Sequence, residues 1–457
     1  MTAAQQLERG LNASYKKLFS ASVISNLGDG IGVIAYPWLA SAVTRNPILI
    51  ALVAVVQRLP WLVFTLPAGV LTDRHDRRTI IATSNAVRAA LTFAVAVGVF
   101  AQRNDLPTAD EITAGIVHDS ALLYVLVLLA TLLLGIAEVM GDNATQTFMP
   151  SIVHPDDLEK ANGRLWSMEM VANNFAGPPL GALFLAWSFT LPFVVDAASF
   201  AVAAVLVALI PPAQRLRRAS SPESGSAPDT PRGMKAEIAE GFRWLWSHDL
   251  LRPMAIILGL LNLAGIMTFS VFVLFAQEVL ETSPAAFAIV MMGNAVGGVL
   301  GGWTASSIAQ RIGSGPSLAL TLITGAATAM VIGLTSLWPV VFVMFALGVF
   351  TGTLWNVITV SLRQTIIPDE LLGRVNSVYR FFAWGMMPIG AILGGVIVAV
   401  TEVWGSRELA LRMPFFAAAA LQLVLLAFAL PRLTTEKMDA ARAEALGDTE
   451  EVAPPAG

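Results

Sequence analysis

The chain has 457 residues, of which 56% are hydrophobic and 13% are charged, and its mean hydropathy is +0.69. A soluble globular domain carries about 25% charged residues, so this composition indicates a polytopic membrane protein. The net charge of −4 carries little information, because in such a protein the sign of the charge matters loop by loop.

Several classes of chemistry are excluded by residue usage. The chain has no cysteine and only four histidines, which are far apart in sequence. Thiol chemistry is therefore excluded, and a metal or catalytic centre has little to be built from. No Gly-x-x-x-x-Gly-Lys-Ser/Thr loop is present, so ATP is not hydrolysed by that route. We expect no enzyme activity, no cofactor, no metal site and no nucleic-acid partner.

Apolar runs long enough to cross a bilayer, which takes about 20 residues, recur along the whole chain. We predict twelve membrane spans, numbered 1 to 12 below. They cover approximately residues 18–43, 47–71, 79–101, 121–147, 158–187, 191–210, 253–280, 284–308, 316–334, 338–362, 371–400 and 409–430. Basic residues collect in the loops on one side, and the other side holds only Arg45, Arg103, Arg407 and Arg412. The positive-inside rule then places both termini in the cytoplasm. Arginine greatly outnumbers lysine and alanine is abundant, which is typical of a high-GC bacterium, so we expect the chain in the inner membrane of a bacterial cell.

The region between spans 6 and 7, residues 211–251, is polar. Its first part is rich in Pro, Ser, Ala and Arg, which is typical of a flexible linker. Ile238, Phe242, Leu245 and Trp246 then recur at helical spacing, which predicts an amphipathic helix on the inner membrane face. The alternative is a short solvated helix.

Two similar halves flank this region. Residues 154–158 (His-Pro-Asp-Asp-Leu) match residues 367–371 (Ile-Pro-Asp-Glu-Leu), and Gly181 aligns with Gly395. We therefore predict an N-terminal six-helix bundle over 1–210 and a C-terminal bundle over 252–432. The acidic segment 433–457 is expected to be a disordered cytoplasmic tail.

A short charged loop joins spans 2 and 3, with the pattern Gly-x-x-x-Asp-Arg-x-x-Arg-Arg. Its residues are Gly69, Asp73, Arg74, Arg77 and Arg78. The pattern resembles the signature loop of the major facilitator superfamily of transporters. Asp76 stands where that family usually has glycine, as is often so in the branch of macrolide-efflux pumps and enterobactin exporters. The resemblance implies an all-α integral membrane fold of twelve helices in two six-helix bundles. The bland alternative is a positively charged loop that only sets topology.

A second motif lies in span 5, where residues 176–182 read Ala-Gly-Pro-Pro-Leu-Gly-Ala. This resembles the Gly-Pro-x-x-Gly motif of drug antiporters in the same superfamily. Glycines let two helices approach closely, and prolines kink a helix. The resemblance makes Gly177, Pro178 and Gly181, together with the signature loop, the conformational switch. Alternatively, Gly and Pro are simply common in membrane helices.

Charged residues within the spans are the next signal, because each costs about 2.5–3.5 kcal/mol at a helix centre and usually marks function. Asp29 and Arg58 both fall near mid-membrane on spans 1 and 2 and are expected to pair. Glu138 lies in the inner third of span 4, with Asp142 nearer the surface, and Glu169 lies in span 5. Asp196, near the outer end of span 6, is expected to be structural.

In this superfamily spans 1, 4, 7 and 10 line a central cavity, so the resemblance implies that Asp29 and Glu138 face it. Glu138 has no basic residue within a turn or two on its own helix, and desolvation disfavours a charged carboxylate. We therefore expect Glu138 to carry the proton, with Asp29 and Arg58 setting the local field and Asp29 contacting a cationic substrate. For either acid, the alternative is a neutralised charge that only holds helices together.

Spans 7 and 10 offer aromatic and amide side chains that suit large amphipathic molecules. These are Asn262, Phe269, Phe272, Trp355 and Asn356. The alternative is that the aromatic side chains face lipid or pack inside the protein.

The sequence therefore predicts a proton-coupled antiporter that exports amphipathic drug-like compounds, as multidrug efflux pumps that confer antibiotic resistance do. Its partners would be the small-molecule substrate, protons and membrane lipid, and the chain would act as a monomer. Two rival hypotheses stay open. One is a dedicated exporter of a siderophore or natural product, and the other is a non-transporting membrane sensor with the same fold.

Overall fold

The structure, a computed structural model, describes residues 11–154, 157–211 and 234–451. Within these ranges the chain is helical and has no strand. The helices of the first part are α1 (Ala13–Val43), α2 (Pro47–Arg74), α3 (Arg77–Ala101), α4 (Ala109–Thr113), α5 (Ala121–Phe148), α6 (Leu158–Val171), α7 (Gly177–Trp187) and α8 (Leu191–Ala208). Those of the second part are α9 (Met234–Ser247), α10 (Leu251–Phe269), α11 (Phe272–Glu278), α12 (Pro284–Ile312), α13 (Ser314–Leu334), α14 (Trp338–Ile366), α15 (Asp369–Glu402), α16 (Arg407–Ala429) and α17 (Thr435–Glu451).

Among the described residues, eleven helical segments are long and apolar enough to cross a membrane. They coincide with every predicted span except span 5, which is divided into α6, a π-helical turn over Ala172–Ala176, and α7. With span 5 the fold is the predicted all-α membrane architecture of twelve spans, and that prediction is confirmed.

Several helix starts follow from local sequence. The side chain of Asn46 accepts hydrogen bonds from Ile48 N and Leu49 N, and Pro47 fills the first helical position of α2. Ser120 and Ser406 cap α5 and α16 in the same way. Such caps satisfy backbone donors that a helix start leaves free, so the spans begin where a cap is available.

The helices form two packed units. The first contains α1 to α8 together with Ala276–Met292, and the second contains the rest from α9 onward. In the first unit, α1 packs against α7 and α8, α3 against α5 and α8, and α2 against α5. In the second, α10 packs against α15, and α13 against α14 and α16. The residues Ala276–Met292, which sequence reasoning assigned to the C-terminal bundle, cluster with the first unit.

A helix, α9, is present where the amphipathic pattern predicted one. Leu245 is buried, while Phe242 and Trp246 stack with Phe382 of α15, with ring centroids 6.3 and 5.9 Å away. Arg374 of α15 also forms an ion pair with Glu240, with an Nη1–Oε2 distance of 2.9 Å. Helix α9 therefore packs on the start of α15. The predicted flexible linker falls mainly on residues 212–233, which lie outside the described residues.

The predicted disordered tail is wrong for most of its length, because residues 435–451 form helix α17. Met438 is fully buried, in a core cluster with residues of α14. The Thr435 hydroxyl accepts a hydrogen bond of 3.0 Å from Gly315 N at the start of α13. Burial of this one apolar side chain and that hydrogen bond dock the segment. Residues 452–457 lie outside the described residues.

Candidate functional site

Asp29 is paired, but with a residue that the sequence reasoning missed. Arg88, in the middle of α3, forms an ion pair with Asp29 of α1 through Nη2 and Oδ1. The predicted pairing of Asp29 with Arg58 is therefore wrong. The reason is packing, because α1 lies against α8 and α7 and has few contacts with α2, although α2 follows it in sequence. An arginine at the centre of an apolar span is the same kind of signal that identified Asp29, so the sequence did contain it.

Arg58 instead interacts electrostatically with Glu138 of α5. Glu138 is half-buried and also interacts with Arg88, Asp29 and Asp142. Thus two arginines from other helices act on Glu138, which the spacing along its own helix could not reveal. Within the described part of the chain, the Glu138 carboxylate has no ion pair or hydrogen bond, whereas that of Asp29 has both.

Asp196 of α8 belongs to the same group of charges. It is 3% exposed and interacts electrostatically with Asp29 and Arg88. Asp142 and Glu169 also interact with Asp29. We call this set the charged layer, and its members are Asp29, Arg58, Arg88, Glu138, Asp142, Glu169 and Asp196. It contains five carboxyl groups and two guanidinium groups, all in the first unit.

Glycines bring α1 very close to α7 beside this layer. A Cβ atom added to Gly177 would lie 2.5 Å from Gly30 Cα, and one added to Gly181 would lie 2.7 Å from Ile31 O. The π-helical turn precedes this contact, and Gly177 N bonds to Ala172 O five residues earlier. Prolines at 178 and 179 cannot donate to the carbonyl groups four residues before them, so the local hydrogen bonding is reorganised. The motif glycines therefore contact the helix that carries Asp29.

The signature loop holds helix ends together. Arg77 donates to Thr147 O in the last turn of α5 at 2.7 Å, and Arg78 donates to Ala208 O at the end of α8 at 2.9 Å. A cation at a helix C-terminus satisfies free carbonyl groups and complements the helix dipole. The side chains of Asp73 and Arg74 and the surroundings of Gly69 lie outside the described part of the structure. The switch role of these three residues therefore stays a prediction.

The residues expected to contact substrate in the second unit differ in exposure. Phe269 and Asn356 are exposed, whereas Asn262 donates to Ala383 O at 2.9 Å. Trp355 is only 2% exposed and lies in the core cluster with Leu354 and Ile358. Phe272 is also buried. The expectation that Trp355 and Phe272 present open surface is not met, because their large apolar side chains pack inside the unit.

Among the described residues, no three or more histidine, aspartate or glutamate side chains are grouped so that they could hold a metal ion.

The chain matches one protein family over nearly its whole length and is similar to two kinds of exporter. The profile of the family described as transmembrane secretion effector matches residues 11–453. The multidrug efflux pump Tap of Mycobacterium tuberculosis is 25% identical over 422 residues, which cover 91% of this chain and 90% of that protein. The enterobactin exporter EntS of Citrobacter koseri is 23% identical over 406 residues, which cover 85% and 86%.

Solved structures agree on the fold. A bacterial homologue of the iron transporter ferroportin, in an inward-facing state, has a TM-score of 0.67 at 15% identity, covering 93% of this chain and all of that one. The nucleoside transporter NupG has a TM-score of 0.65 at 11% identity, covering 92% and 99%. At these identities the similarity shows the fold alone.

Proposed function

Since the chain belongs to the transmembrane secretion effector family of the major facilitator superfamily, we propose that it is a proton-coupled antiporter for amphipathic drug-like compounds. It would export them from the cytoplasm across the bacterial inner membrane, with both termini on the cytoplasmic side. The names of its relatives, a multidrug efflux pump and an enterobactin exporter, support export as the direction. The observation that carries the proposal is the charged layer.

The layer has more acids than bases. Asp142 and Arg58 are exposed, but the other four carboxyl groups are buried or half-buried and have one buried guanidinium group, that of Arg88, among them. A buried charge is costly unless it is paired, so these four carboxyl groups cannot all be ionised cheaply. The excess carboxyl groups need protons or a cationic guest. A site that accepts either a proton or a cationic substrate, in alternation, is what antiport requires. This is the physical basis for proton coupling in this chain.

Glu138 is the proposed proton carrier. Its carboxylate is half-buried and has no ion pair or hydrogen bond within the described residues, so gaining a proton breaks no contact. Arg58 and Arg88 act on it electrostatically from the neighbouring helices. Asp29 is held by Arg88 and is the poorer carrier, so its proposed roles are to set the field and to contact a cationic substrate.

The remaining proposed roles follow the predicted motifs. Phe269 and Asn356 are exposed and are proposed to contact substrate, and Asn262 could do so only by giving up its bond to Ala383 O. Gly69, Asp73, Arg74, Arg77 and Arg78, with Gly177, Pro178 and Gly181, are proposed to form the conformational switch. The proposal requires one chain only.

The test uses purified protein in proteoliposomes, with ethidium and tetracycline as probes and a pH-sensitive dye in the lumen. We expect wild type to move protons when either probe is added, and to accumulate probe when a pH gradient is imposed. Glu138→Gln should still bind the probe but lose both responses. Asp105→Asn removes an exposed carboxyl group outside the charged layer and is the control that should keep them. Accumulation by Glu138→Gln under an imposed pH gradient would rule out its role as carrier.

The siderophore alternative is favoured by the similarity to an enterobactin exporter. Cells that lack or overexpress the protein distinguish the three hypotheses, with and without an uncoupler. Drug export predicts uncoupler-sensitive loss of ethidium from the cell. Siderophore export predicts uncoupler-sensitive release of a catecholate into the medium with ethidium unaffected. A sensor predicts no uncoupler-sensitive change in either compound.

A further inference from the structure

Two buried polar atoms in the charged layer have no hydrogen-bond partner within the described residues. They are Nε of Arg88, a donor, and Oδ1 of Asp196, an acceptor. Both residues are buried, at 9% and 3% exposure, and the two side chains interact electrostatically. An unsatisfied buried polar group is costly, so a donor and an acceptor left in this condition within one group of charges require an explanation.

Asp196 lies against the same turn of α1 that carries Asp29. A Cβ atom added to Gly28 would meet Ser199 Oγ and would also lie 2.4 Å from Asp196 Oδ1, and one added to Gly32 would be 3.8 Å from Oδ2. The two glycines therefore leave a notch in α1 that the hydroxyl group of Ser199 and the carboxyl group of Asp196 occupy together. A side chain at position 28 would displace both groups. Asp196, for which the sequence predicted a structural role, is thus held beside Asp29.

Arg88 reaches the same place from α3. Its guanidinium carbon lies 4.0 Å from the ring centroid of Phe200, which is one turn after Asp196 on α8. The guanidinium thus contacts α8 through the aromatic face while it pairs with Asp29 on α1.

We propose that Asp196 is the alternative carboxylate partner of Arg88, and that Asp29, Asp196 and Arg88 share one proton. In the arrangement seen, Arg88 holds ionised Asp29 and the proton is on Asp196. In the other, Arg88 holds ionised Asp196 and the proton is on Asp29, whose side chain is 33% exposed. The proton passes from one carboxyl group to the other, the guanidinium keeps its charge, and the three groups remain neutral in sum.

The other titratable groups that act on the triad are Tyr36, Glu138, Asp142 and Glu169, of which Glu169 acts on Asp29 from α6. Tyr36 of α1 interacts electrostatically with Asp196, but the Tyr36 hydroxyl forms its hydrogen bond with Thr92 Oγ1, at 3.5 Å. From α5, Glu138 and Asp142 act on Arg88 at longer range without an ion pair to it. The triad therefore gives the protein a second proton-binding centre beside Glu138. This role in transport rests on the proposed antiport, whereas the exchange of partners does not.

The test is a double-mutant cycle on thermal stability in detergent, which needs no substrate. Asp29→Asn and Asp196→Asn should each lower the unfolding temperature only slightly, because Arg88 keeps one carboxylate. The double variant leaves a buried guanidinium without either partner and should lose about 5 °C or more beyond the sum. Adding Arg88→Gln to the double variant should restore most of that loss, because the unpaired charge is then gone.

Two controls make the result specific. Asp29→Asn/Asp142→Asn should show additive losses, because Asp142 is not a proposed partner. Ser199→Ala removes a hydroxyl that shares the notch with Asp196 but, among the described residues, donates to the backbone carbonyl of Asp196 in its own helix, so it should change the unfolding temperature only slightly. Additive losses in the Asp29/Asp196 pair, equal synergy with Asp142, or no rescue by Arg88→Gln would each overturn the proposal.

A transport measurement separates this proposal from the proposed function. In Asp196→Asn, protonation of Asp29 would leave Arg88 without a partner, so half-maximal probe-driven proton movement should shift to lower pH. If wild type moves no protons, antiport is wrong while the stability cycle still decides the exchange of partners. If wild type couples and Asp196→Asn has an unchanged pH profile, the triad is wrong and antiport stands.

Discussion

Replacement of Gly177 by alanine adds one methyl group at the contact between α1 and α7. That group would lie 2.5 Å from Gly30 Cα, 2.7 Å from Gly30 C and 2.8 Å from Ala172 O. Ordinary van der Waals contact begins at 3.4 Å. All three atoms belong to the backbone, so no side-chain rotation can relieve the overlap. The helices must separate by roughly 1 Å, as in other overpacked interiors.

The energetic cost has two opposing parts. Overpacking costs about 1–3 kcal/mol, and alanine is a better helix former than glycine by about 1 kcal/mol. We therefore expect a net loss of up to about 2 kcal/mol in the free energy of unfolding. Gly30 is the neighbour of Asp29 in the chain, so the same displacement moves Asp29 relative to Arg88. Transport should therefore fall by more than the loss of stability explains.

The assay compares unfolding temperature in detergent and ethidium efflux for wild type, Gly177→Ala and the control Gly163→Ala. A Cβ atom at Gly163 has no heavy atom within 4 Å, so this variant should be as stable as wild type or slightly more stable. A Gly177→Ala protein with unchanged stability and efflux would refute the claim that this contact is tight and coupled to the charged layer.

Two further predictions concern positions outside the spans. Asp73→Asn should lower transport while insertion and yield stay normal. We propose that the Asp73 carboxylate complements the N-terminus of a helix when the cytoplasmic side of the transporter closes. Normal efflux by a normally inserted Asp73→Asn protein would contradict this role. Burial lowers the pKa of His248, whose Nδ1 accepts from Leu250 N and Leu251 N at the start of α10. The folded state then favours the neutral ring, so this contribution is complete above the unfolded pKa of about 6.5 and is lost as the pH falls. The unfolding temperature of wild type should drop more between pH 7.5 and 5.5 than that of His248→Asn. Equal drops in the two proteins would contradict a stabilising role of the neutral His248 ring.

The sequence was sufficient for the fold because hydropathy and helix caps act locally. Span 2 was expected from residue 47, where Asn46 and Pro47 begin α2. Helix α17 was missed because only one buried methionine docks it, while its composition is dominated by acidic residues and alanine. The composition of an acidic segment with so little apolar surface therefore does not tell whether the segment is disordered or docks as a helix.

The site was less predictable because it depends on which helices touch. Asp29 and Arg58 occupy equivalent depths on consecutive spans, yet α1 and α2 have few contacts and α3 supplies the partner. The position of Asp196 near the end of a span predicted a structural role for it. Only the notch left by Gly28 and Gly32 shows that it lies beside Asp29. Depth along a span can be read from sequence, but the rotation of each helix about its axis comes from packing.

The sign of the charged layer also bears on the choice between the two export hypotheses. Five acids and two arginines within a few helices favour a cation over an anion wherever the carboxyl groups are ionised. Release of a proton from Glu138 makes the layer more negative and increases its attraction for a cationic drug. An anionic natural product would meet the opposite field and would require the acids to be protonated when it binds. We therefore expect protons to compete with ethidium for binding, so that its apparent Kd rises as the pH is lowered. An anionic substrate would show the reverse trend, and a Kd for ethidium that does not change with pH would remove the electrostatic argument for drug export.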